Sequence, residues 1–145
     1  MSVQPPPLPA PVPCGSCPYR TDVPSGVWHS SEYAKLIRYD EPTAMQPLGV
    51  FLCHQVDGRI CAGWAGCHDM DQSLGVRIAT LEGRLTPEQV DTLCAYTTPV
   101  PLFASGREAA AHGLADVENP SPVARRTVSK ILTRRTARGE THDEP

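Results

Sequence analysis

The sequence predicts a small, mostly helical single domain of the α+β class, with one or two short strands, organised around a four-cysteine metal site. Three observations predict it. Capping residues precede helical stretches at Ser30, Thr86, Ser105 and Ser121. One short apolar run, Leu48–Cys53 (LGVFLC), is the best strand candidate. Four cysteines fall as two pairs, Cys14-Gly-Ser-Cys17 and Cys53 with Cys61, so a fold must bring the pairs together.

The 145 residues divide into four stretches. Residues 1–13 (MSVQPPPLPAPVP) hold six prolines and predict a disordered, polyproline-like tail. Residues 14–118 form the metal-binding domain, 119–138 a basic amphipathic helix, and 139–145 (GETHDEP) an acidic tail that frays. Within the domain, Pro18 and Pro24-Ser25-Gly26 predict loop and turn. Ser30 or Ser31 caps a helix to about Tyr39, with Tyr33, Leu36 and Ile37 on one face. Pro42 and Pro47 break the chain before the strand, and Asp57-Gly58 turns it back towards Cys61. From Cys61 to about Leu81 the pattern is compatible with helix, weakened by Gly63, Gly66 and Gly75.

Thr86-Pro87-Glu88-Gln89 opens the clearest helix: Thr86 caps, Pro87 suits the first turn, and Gln89 completes a capping box. Val90, Leu93, Cys94 and Thr97 form its expected buried face, with Cys94 a small core residue. Ser105 with Glu108 makes a second capping box before an alanine-rich helix to about Gly113. Ser121 and Pro122 start the basic helix, where six cations surround Val128, Ile131 and Leu132.

Net charge is −3 but unevenly placed. Residues 1–118 hold seven basic and thirteen acidic groups, whereas residues 119–138 hold six basic and no acidic ones. An acidic body argues against broad phosphate binding by the domain itself, so a protein or nucleic acid partner is expected at the basic helix, 121–138. No run of 18 apolar residues exists, which excludes a membrane-spanning helix. The N-terminus lacks the regions of a secretory signal, so a cytoplasmic location with reduced cysteines is expected.

Two thiols three residues apart can bind one ion, and two more from a distant stretch complete a tetrahedron. The expected ligands are therefore Cys14, Cys17, Cys53 and Cys61. Zinc and an iron–sulfur cluster both accept four thiolates, so Zn²⁺ is the expected cofactor with a [4Fe-4S] cluster as the alternative. His54 follows Cys53, and in extended chain neighbours point to opposite sides, which makes it a supporting donor. Arg20 and Arg59 are placed to offset thiolate charge. Cys67 and His68 are reserve ligands; Cys61 and His68 would lie about 10 Å apart along a helix, too far for one ion. Trp64 is expected to pack over the site and keep it dry.

The motifs Cys14-Gly-Ser-Cys-Pro-Tyr-Arg20, Pro24-Ser-Gly-Val-Trp28, Phe51-Leu-Cys-His-Gln55, Cys61-Ala-Gly-Trp64 and the stretch Val100–Gly113 together resemble an actinobacterial and actinophage family of unknown function. The resemblance implies one intact domain with a Cys/His-rich site. It implies no substrate or reaction. A metal-binding interaction or regulatory module is the expected function, with an iron–sulfur redox or sensor protein as the alternative. No carboxylate, histidine or cysteine has a spacing that favours an enzyme.

Overall fold

Residues 8–53 and 58–137 are described in a computed structural model. Among them the chain forms six α-helices: α1 (Ser30–Arg38), α2 (Ala62–Cys67), α3 (Leu74–Leu81), α4 (Pro87–Cys94), α5 (Gly106–Leu114) and α6 (Pro122–Ala137). Helix starts follow the capping side chains. Thr86 and Gln89 make the reciprocal capping box of α4, and Ser105 Oγ accepts from Glu108 N–H at the start of α5. Glu108, however, reaches back to Ala104 N–H rather than to the cap itself. His29 caps α1, its ring accepting from Ser31 N–H.

The strand expectation gives way. Leu48 and Gly49 lie in a bend, and of the residues that follow only Leu52 pairs, in an isolated antiparallel bridge with Ile60; a second bridge joins Arg20 and Leu102. Too little chain lies alongside for a ladder to propagate, so the fold is helical with two bridge pairs in place of strands. The long helical pattern from Cys61 also breaks. His68 ends α2, Asp69 caps a short 3-10 turn (Met70–Gln72), and Ser73 caps α3 through Val76 N–H. These polar side chains offer the backbone a local alternative to continuous helix.

Small residues set the principal helix pair. Gly106, Ala109, Ala110 and Gly113 form one buried face of α5, and α1 packs on it through Tyr33 and Leu36. A Cβ at Gly113 would overlap the Tyr33 ring, and one at Gly106 would overlap the Leu36 carbonyl. The Tyr33 hydroxyl accepts from both Val27 and Trp28 N–H at 3.1 Å. Ser25 Oγ donates to the Gly113 carbonyl and accepts from Asp116 N–H. The Pro24–Trp28 segment is thereby stitched to both helices.

Three expectations about position change. Cys94 is exposed, because α4 turns only Leu93 fully inwards; its thiol faces the Asp71 carboxylate at 3.5 Å. Thr97 lies beyond the end of α4 and is exposed. Residues 8–13, assigned by sequence to a tail, are held: Pro13 is buried, its carbonyl accepts from Arg20, and the Pro11 carbonyl accepts from Tyr96. Residues 1–7 and 138–145 lie outside the described residues. No helix among those described is long and apolar enough to cross a membrane.

Candidate metal centre

The first cysteine pair sits on a tight turn. Cys17 N–H donates to the Cys14 carbonyl at 3.0 Å, closing the four residues Cys14–Cys17. Two long-range bonds hold that turn. Trp28 Nε1 donates to the Ser16 carbonyl at 2.7 Å, deep in the core, and Arg20 donates to the Pro13 carbonyl immediately before Cys14.

The second pair comes from two antiparallel segments, residues 51–53 and 59–61. Cys53 N–H donates to the Arg59 carbonyl and Cys61 N–H to the Phe51 carbonyl, flanking the Leu52–Ile60 bridge. Alternation along each arm puts Cys53 and Cys61 on the same face, as diagonal neighbours. Cys61 is also the residue that enters α2.

The two pairs meet. Cys17 Sγ lies 3.8 Å from Cys61 Sγ, and both residues are buried. The Cys14 thiol is near enough to Cys17 and Cys53 for each to shift its ionisation. The Cys17–Cys61 contact thus brings the turn and the second pair together, with Cys14 close by. Among the described residues no three His, Cys, Asp or Glu side chains converge on a single point as a ready-made ion site.

Electrostatics follow from that crowding. Contact with Cys17 pushes the Cys14 thiol up from its ordinary value, and burial adds to it, while Cys53 acts in the opposite direction. For Cys17, contact with Cys14 favours the thiolate, but contact with Cys61 and burial outweigh it and push the thiol well up. Neighbouring sulfurs compete for ionisation unless a cation shares their charge.

Gly63 makes the meeting possible. A Cβ there would overlap Cys17 Sγ and approach Tyr19 Cβ to 2.8 Å. Its helical context suggested only a weak point in α2. The turn's own contact with α2 shows why a side chain is excluded.

Arg20 gives its guanidinium to the Asp22 carboxylate, at 2.7 Å, and to the Pro13 carbonyl before Cys14, and it is near enough to Cys17 and Cys14 to interact with their charge. Arg59 is half-buried and contributes its backbone carbonyl to the pairing of the two segments. His54 lies outside the described residues. Cys67 and His68 have Asp40 as a common neighbour. Burial, with Asp40 and Glu108 nearby, pushes the Cys67 thiol up to about 12. His68 Nε2 meets the Tyr19 hydroxyl at 3.3 Å and Asp40 at 3.8 Å. Trp64 is buried, with its ring against Tyr39 and His68. Tyr96 is near enough to Cys17 and Cys61 to feel their charge, a neighbour that local sequence spacing did not reveal.

Comparison with known families finds one match: residues 9–135 match a family of unknown function (DUF6283). No curated protein and no solved structure matches the chain.

Proposed function

The chain belongs to the DUF6283 family, and because that membership carries no activity, we propose from its own residues that Cys14, Cys17, Cys53 and Cys61 bind one zinc ion. The domain is then a metal-organised interaction module acting in a reducing, cytoplasmic setting, with α6 as the surface offered to a protein or nucleic acid partner.

One observation carries the choice of metal. Two thiolates about 2.3 Å from a tetrahedral zinc lie about 3.8 Å apart, and Cys17 and Cys61 Sγ are separated by 3.8 Å. A [4Fe-4S] cluster holds each thiolate on its own iron and needs wider spacing. Cys14 and Cys53, which lie near enough to each other for Cys53 to shift the Cys14 thiol, would be the other two donors. The four cysteines would bind the ion as thiolates, so binding would release their protons. The ion's part is structural: four thiolates leave no open coordination position for substrate.

Metal analysis of protein purified without oxygen, together with its visible spectrum, tests this. One zinc per chain and no colour is expected. Iron with acid-labile sulfide would replace zinc with the cluster, and a folded protein with neither would remove the metal altogether. Cys53→Ser should lose both zinc and stability; retention of both would take Cys53 out of the ligand set.

A further inference from the structure

The charge of α6 is arranged as well as abundant. Arg126, Lys130 and Arg134 recur every fourth residue, so they leave the helix on one side, in steps of about 6 Å along its axis. All three are exposed, and Val123 and Ala137 complete that face. No Asp or Glu occurs between residues 119 and 137, so no i,i+4 partner within the helix neutralises the line. Arg126 and Lys130 have no carboxylate partner among the described residues.

The helix meets the core on a different side. Ala124 and Ile131 are buried, Val128 packs against the core, and Arg135 lies over the Trp28 ring at 5.8 Å. An apolar groove lined by Val128, Leu132, Thr136 and Ala137 runs along the helix beside the line of cations, with Ala137 at their shared border. The rest of the protein has the opposite sign, with thirteen acidic against seven basic groups in residues 1–118. An approaching polyanion is therefore repelled by the body and attracted by α6 alone.

Charge and composition choose the occupant. A second copy docking through this face would set cations against cations. A protein partner needs buried aromatic or aliphatic anchors, and this face offers only Val123 and Ala137. A phosphate backbone needs nothing but cations in line. A duplex carries one charge per roughly 1.7 Å of axis, so a line of about 12 Å spans about seven phosphates. We propose that α6 binds the phosphate backbone of nucleic acid, without reading sequence, through Arg126, Lys130 and Arg134. This deepens the partner-binding part of the reading above and stands apart from the identity of the metal.

Fluorescence anisotropy with a short labelled DNA duplex, and with an RNA duplex of the same length, tests it on the full chain. Three phosphate contacts predict a slope of about −2.7 in log K against log salt, or about fortyfold weaker binding from about 50 to 200 mM salt. Arg126→Glu/Lys130→Glu, both at exposed positions, should weaken binding at least about tenfold and flatten the slope to about −1 or less, with helix content by circular dichroism unchanged. Arg38→Glu/Arg107→Glu carries the same charge change on the body and should leave binding within about twofold. The tighter duplex identifies the natural source of the backbone. No binding to either duplex at low salt would overturn the proposal, as would equal loss in both double variants. Equal competition by polyglutamate, or binding to phosphatidylserine vesicles alone, would also overturn it. Zinc is measured on the same sample, so duplex binding by metal-free protein removes the zinc reading only, and zinc-loaded protein that ignores both duplexes removes this one only.

Discussion

Gly63 concentrates the physics of the centre in a missing methyl group. Alanine there would gain about 1 kcal/mol in helix propensity. The added carbon would overlap Cys17 Sγ and crowd Tyr19, which is fully buried, and overpacking costs about 1–3 kcal/mol. The overlap wins because the Cys17 turn is pinned by Trp28 and Tyr19 cannot withdraw. Gly63→Ala should lower stability by about 1–2 kcal/mol in a urea titration. It should also increase the reactivity of Cys17 and Cys61 towards a thiol reagent; unchanged values for both would show that the turn does not rest on α2. His68 makes a different prediction. Burial lowers its pKa below the ordinary 6.5, against the attraction of Asp40. The unfolded chain therefore takes up its proton first, and stability falls as pH drops below about 6.5 until the folded histidine also protonates. His68→Gln should remove that component from the difference between the two proteins' pH–stability curves. Parallel curves would exclude His68 as its source.

At the scale of elements, helix starts were legible and their neighbours were not. Thr86-Pro87-Glu88-Gln89 and Ser105 announce α4 and α5 through local hydrogen bonding alone. The break between α2 and α3 depends on Asp69 and Ser73 capping new turns, a competition that hydrophobic period does not report. Leu48–Cys53 looked like a strand because a strand's partner is invisible in its own residues; only Leu52 finds one. The cysteine pairs were visible as pairs, but not that Cys67 and His68 have Asp40 as a neighbour, which is distant in sequence. Nor did sequence reveal why α5 carries glycine at 106 and 113. Both allow α1 to approach, and Tyr33 cannot yield because two amide hydrogens hold its oxygen. Gly113→Ala should therefore cost about 2 kcal/mol despite its gain in propensity, read as a melting temperature lower by about 6–10 °C. An unchanged melting point would mean that α5 can slide on α1 at little cost.

Across the whole molecule, the candidate centre joins stretches far apart in sequence. The Cys14–Cys17 turn, the antiparallel segments 51–53 and 59–61 and the start of α2 pack together there, with Tyr19 against Phe51. Zinc bound only by the native arrangement adds its binding free energy to folding. Chelation by EDTA should consequently lower the melting temperature and the cooperativity of unfolding together, and added zinc should restore both. Identical melting curves with and without chelator would confine any bound metal to a peripheral role. The charge pattern belongs to this scale too: it was fully legible in sequence, whereas the straight line of Arg126, Lys130 and Arg134 required the continuous α6.

The bond from Trp28 Nε1 to Ser16 has a spectroscopic consequence. The indole touches the cysteine turn through its N–H and carries the Arg135 guanidinium on its ring. The chain has one other tryptophan, Trp64, beside Tyr39 and His68. In a Trp64→Phe variant all indole emission would come from Trp28. Loosening of the turn would shift that emission to the red, and departure of α6 would change its quenching. The protein thus contains a built-in fluorophore at the junction of its cysteine turn and its basic helix, able to follow both events without a label.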